Sequence, residues 1–232
     1  MGVFAKFQET AASIGFWNAT LFAIARVLKA LSGGWVRIVK YYITVQPVLA
    51  PNPDRWSRTG TFDLGWADVD CQLFTEVERP AAVIASRFAQ GARCLVAATK
   101  GRLAGFVWFV VGPYDEDEVR VRFVPGPPGL AAWDFDVMVM PHFRMGRLFS
   151  YLWARAHAEL ASSGVRHTMS RISAFDALSL ASHKRLGARI VGSATFVCVG
   201  PWQLMRSSIT PHWHFSWRLD QRPTLKIVAN RD

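Results

Sequence analysis

The order of hydrophobic runs between residues 132 and 199 constrains this chain most. An apolar run from Ala132 to Met140 ends at Pro141. A short loop then leads into residues 144 to 163, where Leu148, Leu152, Trp153, Ala156 and Leu160 recur at helical spacing. Arg166 to Ile172 reads as a strand, Asp176 to Leu186 as a helix stopped by Gly187, and Arg189 to Val199 as a further strand. Upstream, Arg93 to Thr99 and Leu103 to Val111 are β-forming runs joined at Lys100-Gly101, a hairpin signal. Hairpins followed by β-α-β-α-β predict an α/β (α+β) domain, a mixed sheet with helices on its faces.

The remaining segments fit around that frame. Val36 to Val48 is rich in β-branched and aromatic residues and suits a strand. Residues 50 to 60, with two prolines, an asparagine and Gly60, read as a linker or loop. Pro80 to Ala89 is a short helix ended by Gly91. The acidic run Asp115 to Glu118 reads as a solvated hairpin tip, Val119 to Val124 as a short strand, and Pro125 to Gly129 as a rigid loop. No internal repeat is visible.

With 51% hydrophobic residues in 232, the chain can fill a core, which excludes large-scale disorder. Its net charge of +10 favours anionic partners without choosing among them. The Lys and Arg positions are scattered and lack the aromatic interleaving of single-strand readers, so nucleic acid is not expected. Cys71, Cys94 and Cys198 show neither zinc spacing nor a disulfide framework, and a reducing, cytoplasmic setting follows. His212-Trp213-His214 has no apparent third ligand, so no metal is expected.

The N-terminal 34 residues stand apart. Thr10 to Ala25 carries no charge, and Ile14, Trp17, Leu21, Ile24, Leu28 and Leu31 lie on one helical face. Arg26 and Lys29 follow, and Gly33-Gly34 is a stop. The uncharged run makes about 24 Å of helix, short of a hydrocarbon core of roughly 30 Å. A signal peptide fits poorly, because Lys6 is the only basic residue before the run and no small-residue cleavage pattern follows. Two readings stay open: an amphipathic helix on an anionic membrane surface, at its inner face, and a helix packed on the protein.

Chemistry is concentrated where the Ala132 strand ends. In Val139-Met140-Pro141-His142-Phe143-Arg144-Met145-Gly146-Arg147 a strand, a loop and a helix start follow one another. Such a joint aims backbone N–H groups at one point and adds the positive end of a helix dipole, which suits a pyrophosphate. One strand later comes Asp176-Ala177-Leu178-Ser179-Leu180-Ala181-Ser182-His183-Lys184-Arg185-Leu186-Gly187.

Together these segments resemble the GNAT acyltransferase superfamily. Val139, Pro141 and Arg144 match its V-x-P-x-x-R, and Asp176, Ser179, His183 and Gly187 stand at the Asn, Ala, Tyr and Gly positions of N-x-x-A-x-x-x-Y-x-x-x-G. The resemblance covers about residues 93 to 199. It departs at the turn, where Gly146 is displaced by one position and Arg147 and Phe149 replace small residues. It implies a GNAT-like, mostly antiparallel twisted sheet with helices on both faces. It further implies an acyl-CoA co-substrate, acetyl-CoA or another, with no metal. The backbone of Val137, Met138 and Val139 would hold the pantetheine. The amides of Arg144, Met145, Gly146, Arg147, Leu148 and Phe149 would face the phosphates, with Asp176 and Ser179 near the cofactor. His183 stands where the family has its acid, and as histidinium it would protonate the leaving thiolate.

Asp134 and Asp136 alternate with Trp133, Phe135 and Val137, so they are expected on one face of an apolar strand. Paired carboxylates there suit a general base or an amine-binding site; pairing with Arg120 or Arg122 on a neighbouring strand is the structural alternative. The organisation expected is residues 1–34 as the helix, 35–205 as the acyltransferase domain and 206–232 as an aromatic extension. The function expected is N-acetyl transfer to an amine of a small molecule or protein. The alternatives are a long-chain N-acyltransferase fed by acyl-CoA or an acyl carrier protein at a membrane surface, and a non-catalytic binding module of the same shape.

Overall fold

The computed structural model describes residues 3–50, 61–144 and 146–229. In chain order these form α1 (Val3–Ile14), α2 (Phe16–Leu31), β1 (Val36–Pro47), β2 (Asp63–Ala67), α3 (Ala81–Ala89), β3 (Arg93–Thr99), β4 (Arg102–Val110), β5 (Tyr114–Asp115), β6 (Arg122–Gly126) and β7 (Ala131–Val139). There follow α4 (Leu148–Ser162), β8 (His167–Ser173), α5 (Ala177–Arg185), β9 (Arg189–Val199), β10 (Trp202–Ser207), β11 (Trp213–Ser216) and β12 (Thr224–Val228). The architecture is α/β with a large, mostly antiparallel sheet. Contacts divide it into two compact units: residues 1–46, 118–123 and 170–227, here the β9 unit, and residues 47–117, 124–169 and 228–232, here the β7 unit.

In the β7 unit, β2, β3, β4 and β7 pair antiparallel in that order. Gly105, Val107 and Phe109 of β4 face α4: a Cβ on Gly105 would lie 3.2 Å from Leu152 of that helix. Phe106 and Trp108 face the other way, toward α3. On that side Trp108 stacks between Phe74 and Phe135 at 5.6 and 6.0 Å, Tyr114 stacks on Phe135 at 4.1 Å, and Phe88 meets Trp108 edge-on at 4.9 Å. Each such pair adds about 0.5–1.5 kcal/mol beyond its buried area. The helices thus lie on both faces of this sheet.

In the β9 unit the ladder runs β1, β9, β10, β11, again antiparallel. One face is closed: Tyr41, Phe196, Cys198 and Met205 are buried there. The Tyr41 hydroxyl donates to the Glu118 carboxylate, and Gln203 exchanges hydrogen bonds with the Arg120 backbone at 2.8 Å each way. The other face receives α2. Asn18 donates to the Tyr42 hydroxyl and accepts from Lys40, at 2.9 and 2.8 Å.

Three expectations change. The N-terminal helix is two helices, broken at Gly15, whose φ of 84° is a left-handed value suited to glycine. Its apolar stripe is only partly covered: Ile14, Leu21 and Leu28 are half-buried, Trp17 is 80% and Leu31 81% exposed, and the buried positions are Asn18, Ala19 and Ala25. Residues 206–232, expected as an extension, contribute the end of β10 and all of β11 and β12. The strand expected at 119–124 lies at Arg122–Gly126.

Candidate functional site

The sequence-chosen residues fall into two sets, one in each unit. In the β7 unit, β7 leads through the 3-10 turn Pro141–Phe143 to α4. β7 does not run straight. Trp108 pairs with Phe135 and Phe106 with Met138, so Asp136 and Val137 together stand opposite one residue of β4. This is a β-bulge, and Asp136 sits at its bend with φ 46°. Asp is among the few side chains that tolerate that region.

The bulge changes what the two carboxylates can do. Phe109 faces α4, and Asp134 pairs with it, so Asp134 lies buried on the α4 side. Asp136 turns to the α3 side. The one-face expectation is therefore corrected, because a bulge shifts the alternation by one residue. Arg79 grips Asp136 with two bonds of 3.0 Å, and Arg87 reaches it at 2.6 Å. Arg87 also holds Asp117 at 2.6 and 2.9 Å, and it stands 5.3 Å over both Trp108 and Phe135. Burial alone would raise the Asp136 pKa, but the bonds from Arg79 and the charge of Arg87 outweigh it and hold the carboxyl below its ordinary value. Burial, then the neighbouring Glu116, pushes Asp117 up against the pull of Arg87. Asp136 is thus a committed anion of a buried ion cluster, which makes it a poor proton acceptor near neutral pH. Its partners come from α3 and the segment before it rather than from Arg120 or Arg122.

Next to the bulge, β4 comes unusually close. A Cβ on Gly105 would lie 2.7 Å from the Met138 carbonyl oxygen and 3.4 Å from the Val139 Cα, so only glycine fits there. Val137, Met138 and Val139 are half-buried, and Met140 continues the ladder by donating to the Ala104 carbonyl at 2.8 Å.

The turn is spent partly on itself. The Arg144 and Gly146 amides donate to the Pro141 and Phe143 carbonyls at 3.4 and 3.1 Å, and Arg144 Nε donates to the Val139 carbonyl at 3.1 Å. Those groups do not face outward as expected. The helix consequently starts at Leu148, four residues later than its periodicity suggested. Met145 lies outside the described residues. What remains for an anion is the start of α4, the positive end of its dipole, whose N-cap, Arg147, makes no side-chain capping bond. Arg147 and Ser150 are exposed, while Leu148 is buried and anchors the turn.

In the β9 unit, Asp176 is the N-cap of α5 and accepts from the Ser179 amide at 2.9 Å. Gly187 takes φ 89° past the end of the helix, where it serves as the stop. His183 is buried, and its Nδ1 lies 2.9 Å from the Ser179 carbonyl. A carbonyl only accepts, so Nδ1 carries the proton and Nε2 the lone pair of a neutral ring. Burial lowers the His183 pKa, against smaller opposing effects of that bond and of Asp176. The histidinium acid expected from sequence is therefore disfavoured. His212 and His214 have partners within their hairpin, the Ser207 carbonyl at 3.2 Å and the Ser216 hydroxyl at 3.1 Å.

Sequence reading missed Arg79, Arg87 and Gly105. Arg87 sits in a helix whose apolar residues mark the inward face, so an inward arginine had no periodic signal. A glycine within an apolar β-run, as Gly105 is, was the available cue to a close backbone approach.

No protein-family profile matches the chain, and no curated protein matches it in sequence. Among solved structures, a GCN5-related N-acetyltransferase-like protein from Streptococcus suis is 12% identical, covering 75% of this chain and 66% of its own, with a TM-score of 0.47. A tandem GNAT protein from the clavulanic acid biosynthesis pathway is 15% identical over 71% of this chain and 55% of its own, with a TM-score of 0.45. A conserved protein of unknown function from Staphylococcus epidermidis is 13% identical over 75% and 66%, with a TM-score of 0.48. This chain therefore spans between about half and two-thirds of the length of these proteins.

Proposed function

We propose that this protein is an acyl-CoA-dependent N-acyltransferase that transfers an acetyl group to an amine by direct attack on the thioester. The observation that carries the reading is the path from the β7 bulge to an uncapped, solvent-facing helix start. At Asp136 and Val137 the backbone leaves the β4 ladder, and at the start of α4 the exposed Arg147 and Ser150 flank the positive end of the helix dipole. The first feature suits an extended amide-bearing arm such as pantetheine; the second suits its pyrophosphate. Arg147 can add a charge-assisted bond to that phosphate.

In the reaction the amine nitrogen bonds to the thioester carbon, the C–S bond breaks, and the thiolate leaves with a proton. The amine must also lose a proton. Asp136 is held ionised by two arginines and takes no part in proton transfer. A long-chain acyl donor is the second reading, favoured by the exposed aromatic side chains of the β9 unit described below.

The test is thiol release from acetyl-CoA with a panel of primary amines, alongside thermal unfolding with acetyl-CoA, a long-chain acyl-CoA and free CoA. The reading expects stabilisation by all three. Arg147→Glu should weaken it about tenfold, as loss of one charge-assisted bond does. A response to the long-chain thioester alone moves the second reading to first place. No binding and no thiol release would leave a non-catalytic module.

A further inference from the structure

The open face of the β9 unit can be followed strand by strand. Ile38 and Lys40 of β1 pair with Val197 and Thr195 of β9, these with Leu204 and Arg206 of β10, and these with Phe215 and Trp213 of β11. Residues paired across a ladder share a face, so all of them lie on the side that receives α2. α2 sits at the β1 end, through Asn18. Beyond it Trp202, Leu204, Phe215 and Trp213 stay exposed, Trp213 by 61%. β10 is inverted for a surface strand: Gln203, Met205 and Ser207 point in, whereas Trp202, Leu204 and Arg206 point out.

α2 repeats the inversion. At about 100° per residue, Phe16 and Val27 fall opposite the buried Asn18 and Ala25, Leu31 and Ile24 follow on one flank, and all four are exposed. Trp35, also exposed, lies against Gly200 at the β9–β10 turn, where a Cβ would overlap its ring. It links the helix stripe to the strand edge. Among the described residues every exposed Trp and Phe belongs to this unit.

Charge decides what such a face can meet. The β9 unit holds 15 Lys and Arg against 4 Asp and Glu, and the rest of the chain 12 against 13. Arg206 lies within the face, 5.4 Å over Trp213. Arg26, Lys29 and Arg37 line a cavity of about 260 Å³ at the α2 edge, with Glu118 on its wall. A second copy would bring like charge to like, whereas an anionic surface complements it. Trp and Phe beside basic residues are the composition of an interfacial element, and no helix among the described residues is long and apolar enough to cross a membrane.

We propose that this face docks on an anionic lipid bilayer, its rings at headgroup level and Arg206, Arg26 and Lys29 toward the phosphates. The surface lies wholly in the β9 unit and does not depend on the acyltransferase reading. The experiment is co-sedimentation of the full chain with vesicles of equal parts phosphatidylcholine and phosphatidylglycerol, and with phosphatidylcholine alone. Binding is expected to the first, weakened by added salt, and is expected to be much weaker to the second. Trp202→Thr with Phe215→Thr should keep the unfolding midpoint and lower vesicle affinity about a hundredfold, roughly tenfold per ring. Arg26→Glu with Lys29→Glu should remove the preference for the anionic vesicles. Should the aromatic variant fail to fold, quenching of the native protein's tryptophan fluorescence by brominated lipid reads the same contact. Absence of binding to anionic vesicles, absence of quenching, or unchanged binding by a folded aromatic variant overturns the proposal. So does a concentration-dependent dimer that the aromatic variant dissolves, since that would put a second copy on the face.

Discussion

The β7 unit is nearly neutral and, among the described residues, exposes no Trp or Phe, whereas the β9 unit carries the charge and every exposed Trp and Phe. Trp108 and Phe135 are stacked under a buried arginine; Trp202, Trp213 and Phe215 of equal bulk stand in the open. The difference teaches that an aromatic count alone says little about a core. In the first unit the rings and the Arg87 cluster fix a bend in a strand, where the backbone must be exact. In the second one face buries Tyr41, Phe196 and Met205 together with the Gln203–Arg120 bonds, and the other still carries Trp202, Leu204, Trp213 and Phe215 in the open.

The sharpest way to break the comparison is Arg87→Ala. It leaves Asp136 and Asp117 without their shared cation and should cost about 3–5 kcal/mol in urea unfolding, as loss of one partner of a buried pair does. A loss near that of a surface substitution would mean that the cluster does not hold the bend. Gly105→Ala comes next: the added methyl meets the Met138 carbonyl at 2.7 Å and should cost about 1–3 kcal/mol. It should also weaken acetyl-CoA binding, because β7 must move away. Asp176→Ala should cost about 1 kcal/mol and Asp176→Asn almost nothing, since Asn caps as well as Asp. A large loss in the Asn variant would show that the charge matters beyond the cap. The smallest stability effect is expected in the β9 unit, where Trp213→Ser should change stability within about 0.5 kcal/mol.

Proton linkage separates the units as well. His183 has a lowered pKa, so its contribution to stability is present above its ordinary value of 6.5 and is lost as the pH falls below it toward the folded value. Asp136, also lowered, contributes above its ordinary 3.8 and loses that contribution only in stronger acid, as the pH falls through the folded value. Stability profiles of His183→Gln and Asp136→Asn should therefore flatten in different windows, the first the less acidic.

Much of the frame was legible in the chain. Strands β3, β4, β7 and β9 and helix α5 follow from alternation, helical spacing and the Lys100-Gly101 and Gly187 punctuation. β10 and β11 were missed for a physical reason: with Gln203 and Ser207 inside and Trp202 and Leu204 outside, the alternation reads backwards. β2 was hidden by Gly65 in a strand of five residues. The bulge at Asp136 has no sequence mark beyond an aspartate that tolerates positive φ, so the two carboxylates were placed on one face. The motif at Val139, Pro141 and Arg144 located the turn, yet Arg144 bonds the Val139 carbonyl instead of pointing outward. Spacing can mark where a loop turns, but which donors the loop spends on itself is a matter of three-dimensional closure.

Hydrogen exchange of the full chain with and without acetyl-CoA tests the central claim most directly, because it reads the amides of the proposed donor site. Bound acetyl-CoA is predicted to slow exchange at Val137 to Val139 and at Ser150 in the first turn of α4, with Arg147→Glu reducing the effect at the helix start. Unchanged exchange at both segments at saturating acetyl-CoA, or protection elsewhere alone, would contradict the account.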